Sequence, residues 1–327
     1  MDASTPKEKP SLSETYAKYA LGLARNGLLD SDDGVQERRA RRQALVAELI
    51  RRGVQGWPER GTLHTGALAP GCIPCLNGRG SNLCLTTLCT RECFFCFNPK
   101  PRADGISVHG LAVSSEGDVP AILAERGICS VGISGGEPLL GPDKVLRIIK
   151  ILRGHFGSSL RIDLYSNGDL LTPGLLKKLD AAGLNGLRLN LAANGYNIEP
   201  LRMALMEFSD VSVEIPVIPK HVKRLEKMAR DLDRILAPRL ILHELFVSAQ
   251  NADSLRRQGL RSADKMTDKL TWSPVAESDE CALKLMLYCL DHAPKLSVYY
   301  CSTGTQEWIA EKALAHEKSR VRKNGES

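Results

Sequence analysis

Three cysteines, Cys89, Cys93 and Cys96, stand at the centre of the stretch SNLCLTTLCTRECFFCFNPK, residues 81–100. Thiolates in this Cys-x₃-Cys-x₂-Cys spacing can hold three irons of one [4Fe–4S] cube, because cysteine is the usual ligand of such clusters and loop reach sets the spacing. The fourth iron would then lack a protein ligand. Zinc also takes cysteine, but structural zinc favours paired Cys-x₂₋₄-Cys knuckles that close four ligands. An apolar, β-prone run leading into three cysteines is a different pattern. Further along, Ser130 to Pro138 (SVGISGGEP) has the form of a buried strand ending in a glycine pair. Glycine lets backbone approach a ligand with no Cβ in the way, although an ordinary strand-to-helix turn uses the same residues.

Taken together, the cysteine loop and the GGEP turn resemble the radical S-adenosylmethionine (SAM) superfamily. The resemblance implies a [4Fe–4S] cluster on Cys89, Cys93 and Cys96 whose open iron binds the amino and carboxylate groups of SAM. It implies that Phe95 packs against the adenine, and that Gly135, Gly136, Glu137 and Pro138 contact the SAM amino group. A closer similarity is carried by CIPC ahead of the cysteine loop, VEIPVIP, LHELFVSAQN with a following RRQGL, and YYCS followed by Gln306. These segments are similar to radical SAM proteins described as related to pyruvate formate-lyase activating enzyme, most of them without an assigned reaction. The likeness runs roughly from Cys72 to Gln306. It departs at the N-terminal helices and the final helix, and LHELFVSAQ is the loosest match.

Composition sets the bounds. The chain has 327 residues, 43% of them hydrophobic, which suffices for one large α/β domain with appendages. No apolar run is long enough to span a membrane and the N-terminus MDASTPKEKP lacks a signal-peptide core, so a soluble, cytoplasmic protein is expected. In that compartment ten cysteines point to metal or redox chemistry, since cytosolic thiols stay reduced. A net charge of +6 allows a nucleic-acid partner without requiring one.

The elements that must position the cysteines follow from the hydrophobic pattern. Residues 1–60 are expected to form a helical extension, one helix starting near Ser11 and a second running from Ser31 or Asp32 to Gly53. Arg38, Arg39, Arg41, Arg42, Arg51 and Arg52 lie on the second, but Asp32, Asp33, Glu37 and Glu48 offset them, which favours a solvated face over a nucleic-acid surface. From residue 61 to 250, six strands alternate with amphipathic helices, which implies parallel strands joined by βαβ crossovers. A partial, TIM-like (β/α)₆ barrel satisfies that order, and it is also the fold that the resemblance implies. Residues 251–327 form a C-terminal extension: a polar, irregular stretch at 249–265 suited to a lid, then helix, strand and basic helix.

In such a barrel functional groups gather at the C-terminal ends of the strands. Ser166 and Asn167, ending the third strand, suit a ribose hydroxyl or the SAM carboxylate, though an Asn-Gly turn needs no ligand to explain it. Asn190, Glu214 and Glu244 are polar residues within the fourth, fifth and sixth strands, and a polar group there must find partners or line a wet cavity. For Glu214 and Glu244 the inward orientation is favoured. Cys84, Cys129, Cys281 and Cys289 suit core packing. Cys72, Cys75 and Cys301 suit a second metal site, an auxiliary iron–sulfur cluster or zinc, because a Cys-x₂-Cys loop rarely serves packing alone. The resemblance implies an enzyme that takes one electron from a reductase, flavodoxin or ferredoxin, cleaves SAM reductively and abstracts hydrogen from a substrate. A small molecule is the favoured substrate. A glycyl-radical enzyme, a peptide or an RNA are the alternatives, and a metal-binding module that leaves SAM intact is the non-enzymatic one.

Overall fold

The computed structural model describes residues 35–263 and 272–325. The helix expected from Ser11 lies outside the described residues. Helix α1 (Val35–Arg51) leads into the hairpin β1 (Gln55–Trp57) and β2 (Thr62–His64), and a short helix α2 (Cys72–Leu76) precedes β3 (Gly80–Thr86). A second hairpin, β4 (Asp104–Val108) and β5 (Leu111–Val113), follows the cysteine loop. Helix and strand then alternate: α3 (Val119–Glu125), β6 (Ser130–Gly135), α4 (Pro142–Phe156), β7 (Arg161–Ser166), α5 (Pro173–Ala181) and β8 (Gly186–Leu189). The series continues with α6 (Glu199–Leu205), β9 (Val211–Val217), α7 (Val222–Arg234) and β10 (Arg239–Glu244). Beyond it come β11 (Phe246–Val247), α8 (Ala252–Arg257), β12 (Ser273–Pro274), α9 (Ser278–His292), β13 (Ser297–Cys301) and α10 (Thr303–Gly325).

Eleven of these strands form one sheet, ordered β1-β2-β13-β10-β9-β8-β7-β6-β3-β4-β5. Its centre, from β13 to β3, is parallel, and the antiparallel hairpins occupy the two edges. The six βα units expected from the sequence are therefore present as a partial α/β barrel. The strand of the C-terminal extension adds a seventh parallel member by pairing with β10.

Alternation along each strand separates two faces. Ile133, Ile162, Leu164, Leu187, Leu189, Val213, Leu240, Leu242 and Tyr300 are buried on the helix side. Against them pack helices with apolar residues at i, i+3, i+4 and i+7, such as Val145, Ile148, Ile149 and Leu152 of α4 and Leu225, Met228, Ala229 and Leu232 of α7. The opposite face is polar and curls around α2. Cys72 lies beside Arg188 of β8 and packs with Cys301 of β13. Two strands separate β8 from β13, and at about 4.8 Å per strand a flat sheet would hold them well apart.

The arginines of α1 have a structural use. Arg41 meets Glu280, Arg42 meets Asp279 and Arg52 meets Asp291, all on α9, so this face docks the lead-in helix by charge rather than standing free in solvent. The stretch at 249–265, expected to be irregular, contains α8, whose Leu255 is fully buried against Leu245 and Val247.

Candidate active site at the C-terminal ends of the strands

The cysteine loop leaves the C-terminal end of β3 and is tied to the end of β7. Arg91 donates from Nε and Nη2 to the two carboxylate oxygens of Asp169 at 2.6 and 2.7 Å, and Thr90 Oγ1 donates to Asp169 Oδ2 at 2.9 Å. Asn167 Nδ2 donates to Thr90 Oγ1 at 2.9 Å and points at Cys89 Sγ, 3.8 Å away. Cys89, Cys93 and Cys96 are all partly exposed. Burial, then the nearby Cys96 and Cys89, pushes the Cys93 thiol up to about 11. Three thiols within electrostatic reach of one another form a soft-donor set suited to iron–sulfur ligation. Among the described residues no three His, Cys, Asp or Glu side chains close on a single ion. A cube differs, since each thiolate takes its own iron.

The glycine pair has a use that the sequence does not disclose. A Cβ on Gly136 would lie 1.9 Å from the Leu88 carbonyl oxygen, and one on Gly135, where φ is +132°, would lie 2.1 Å from that of Thr86. What approaches these glycines is the backbone entering the cysteine loop. Gly136 N donates to Thr86 O at 2.7 Å and Glu137 N to Leu88 O at 2.8 Å, so the turn and the loop are stitched together.

Glu137 completes this clamp from within. Its side chain is fully buried and accepts from Leu139 N at 3.0 Å, Ser166 Oγ at 3.0 and 3.1 Å, and Asn167 N at 2.8 Å. Burial raises its pKa, while the bonds from Asn167, Leu139 and Ser166 oppose the rise. A carboxylate closed in this way has no face for an incoming ammonium, so the expected direct contact with SAM becomes a positioning role. Pro138 is buried beside it at the start of a 3₁₀ turn.

The remaining expected residues divide by face. Phe95 is partly buried against Leu245, Val247 and Leu255, edge-on to Phe94 at 5.4 Å, with its carbonyl held by Asn251 Nδ2 at 3.1 Å. Asn190 lies just past β8, where its Oδ1 accepts from Ala193 N at 3.3 Å and its N donates to Ser166 O at 2.9 Å. Glu214 does face the barrel interior. Its oxygens are taken there by His243 Nε2 at 2.7 Å and Arg188 Nη1 at 3.3 Å, well inside the barrel rather than at the strand ends. Among the other cysteines, Cys289 is buried in the core and Cys281 packs against it.

Glu244 corrects an expectation. It shares the phase of Leu240 and Leu242, so it faces the helices, and its Oε2 accepts from Thr303 N at 2.7 Å at the start of α10. Burial, with Asp279 nearby, raises it from 4.5 to about 7. The folded protein therefore binds this proton more tightly than the unfolded chain, and ionisation destabilises it. Its contribution to stability is expected to fall as pH rises from roughly 4.5 to 7. In urea titrations Glu244→Gln should flatten that slope relative to wild type, and an unchanged slope would contradict the assignment.

Sequence patterning pointed to Glu244 and passed over its neighbour. His243 shares the phase of Arg239 and Ile241 and faces the interior, between Glu214 and Cys301. Burial works against its charge, but Cys301 and Glu214 raise it to about 10. Arg188, only 2% exposed, was also missed: its Nη2 donates to Asp163 Oδ2 at 3.0 Å and its Nη1 to Cys72 Sγ at 3.6 Å. Opposite charges inside two adjacent apolar runs, LRIDLYSNG and GLRLNLA, were the available signal.

The family profile described as "Radical SAM superfamily" matches residues 83–203. A protein of Methanocaldococcus jannaschii, provisionally named a glycyl-radical enzyme activating enzyme, is 28% identical over 257 residues, covering 74% of this chain and 65% of that protein. The AdoMet-dependent heme synthase of Methanosarcina barkeri is 43% identical over 67 residues, 20% of this chain and 18% of the synthase. The chain thus spans less than two thirds of the length of these relatives. The crystal structure of HydG, a maturase of the [FeFe]-hydrogenase, superposes on 91% of this chain and 71% of its own with a TM-score of 0.47 at 12% identity. The three-cysteine loop and the GGEP turn clamped to it both lie inside the segment, residues 83–203, that is similar to the radical SAM superfamily.

Proposed function

We propose that the protein is an enzyme that reductively cleaves SAM at a cluster held by Cys89, Cys93 and Cys96 and abstracts hydrogen from a small-molecule substrate. The observation that carries this proposal is the clamp itself: partly exposed thiols fixed by Thr90, Arg91 and Asn167 against the turn at Gly135–Pro138. When bound, a [4Fe–4S] cluster supplies the electron that splits SAM into methionine and a 5′-deoxyadenosyl radical. The chain's part is to bind, orient and exclude water. Cys89, Cys93 and Cys96 would hold the cluster by three of its irons, so that the fourth would be available to the amino and carboxylate groups of SAM. The turn backbone, braced by Glu137, offers acceptors for the SAM ammonium, and Ser166 and Asn167 fix the far side of the pocket. Phe95 offers an aromatic face to the adenine, and Asn190 shapes the rim at the end of β8. The electron comes from a reduced flavodoxin, ferredoxin or reductase.

Beside the cluster loop, Phe97, 54% exposed, meets Phe246 with ring centres 5.1 Å apart, and Phe246 meets Trp272 at 5.2 Å, both pairs tilted. This aromatic face supports a substrate with an apolar or planar part. A second proposal, an activase for a glycyl-radical enzyme, draws support from the likeness to the M. jannaschii protein. No helix among the described residues is long and apolar enough to cross a membrane.

Electron paramagnetic resonance of the anaerobically reconstituted, reduced protein tests the SAM site. Adding SAM is expected to change the signal of the reduced cluster, and a spectrum indifferent to saturating SAM would overturn the proposal.

A further inference from the structure

The polar interior of the barrel contains a group of side chains that SAM cleavage does not use. Helix α2 carries Cys72 and Cys75 into the concave side of the sheet. It is pressed there against the inner wall, since a Cβ on Gly71 would lie 2.2 Å from Asp163 Oδ2 and 2.7 Å from Arg188 Nη2. Cys301 ends β13 on the same side and is in register with His243 of β10. Cys72 packs with Cys301, and Cys75 lies within electrostatic reach of both. Cys72, Cys75 and His243 are largely enclosed by protein, yet each keeps some accessible surface.

Around these groups the wall is charged and ordered. His243 Nε2 is bonded to Glu214 Oε1 at 2.7 Å, and the side chain also interacts with Cys301, its register partner on β13. Metal-binding histidines characteristically hold a carboxylate on the nitrogen that does not bind, which fixes tautomer and ring orientation. Glu214 is held in turn by Arg188, which also reaches Asp163 and the sulfur of Cys72.

We propose that Cys72, Cys75, Cys301 and His243 bind a second [4Fe–4S] cluster inside the barrel, with Glu214 and Arg188 as its supporting shell. Three thiolates and one imidazole give every iron a protein ligand. Such a cluster has no open position, so it does not bind substrate by coordination and does not duplicate the SAM site. Zinc would require the four groups to close on one point, which they do not do among the described residues.

The test uses the whole chain carrying Cys89→Ala, Cys93→Ala and Cys96→Ala, reconstituted anaerobically with iron and sulfide. It should bind about four irons and give, when reduced, a [4Fe–4S] signal with ¹⁴N hyperfine coupling from one imidazole. Addition of SAM should leave that signal unchanged, which separates this site from the first. Adding His243→Cys should retain the iron and abolish the nitrogen coupling, whereas adding Cys72→Ser and Cys301→Ser should remove the iron. In a chain with Cys89, Cys93 and Cys96 intact, Cys72→Ser and Cys301→Ser should preserve the SAM-responsive signal, showing that the fold survives. Absence of iron from the first variant, zinc in its place, or nitrogen coupling that persists in the His243→Cys protein would each overturn the proposal.

Discussion

Loss of all SAM-dependent chemistry is expected when Cys89, Cys93 and Cys96 are replaced together by alanine. The three thiols are partly exposed, and their loop is held by Arg91, Thr90 and Asn167 rather than by the cysteines. The variant should therefore fold, with a melting temperature near that of the wild-type protein freed of its metal. Iron content should drop by about four per chain, and SAM should alter no remaining spectral feature. A variant that still cleaved SAM at the wild-type rate would place the reductive site elsewhere.

The second large effect is one of stability and belongs to Glu137. Truncation by Glu137→Ala leaves three buried donors, Leu139 N, Asn167 N and Ser166 Oγ, without an acceptor. An orphaned buried donor costs roughly 1–3 kcal/mol, so a loss of about 3–5 kcal/mol is expected even with partial relaxation. Glu137→Gln keeps the shape but turns an amide N–H₂ toward a backbone N–H, and should cost less. Denaturant unfolding of the metal-free proteins measures both. A role confined to SAM would leave stability unchanged and lower only SAM affinity. The clamp requires the stability loss to appear before any cofactor is added.

Much of this architecture could be read from the chain because its signals are local. The strand-helix alternation, the Cys-x₃-Cys-x₂-Cys loop and the GGEP turn each need only a few consecutive residues. What could not be read depends on neighbours distant in sequence. Gly135 and Gly136 look like a ligand-binding pair, but only the pairing of β3 with β6 brings Thr86 and Leu88 against them. In LHEL both His243 and Glu244 are polar; Glu244 shares the strand phase of Leu240 and Leu242, which sends its carboxylate to α10, while His243 has the opposite phase and turns inward. The last strand showed no barrel role in sequence order, because its partner β10 lies across two intervening helices, α8 and α9. Charges also mislead when counted along one helix alone: the arginines of α1 find their acids on α9, more than two hundred residues later.

Production of 5′-deoxyadenosine is the most direct measure of the proposed reaction. Wild-type protein, reconstituted and reduced without oxygen, is mixed with SAM, and both cleavage products are quantified against a control lacking reductant. The proposal requires 5′-deoxyadenosine and methionine in equal amounts, appearing only in the reduced sample. Reduced protein that binds SAM yet yields neither product above the control would contradict it.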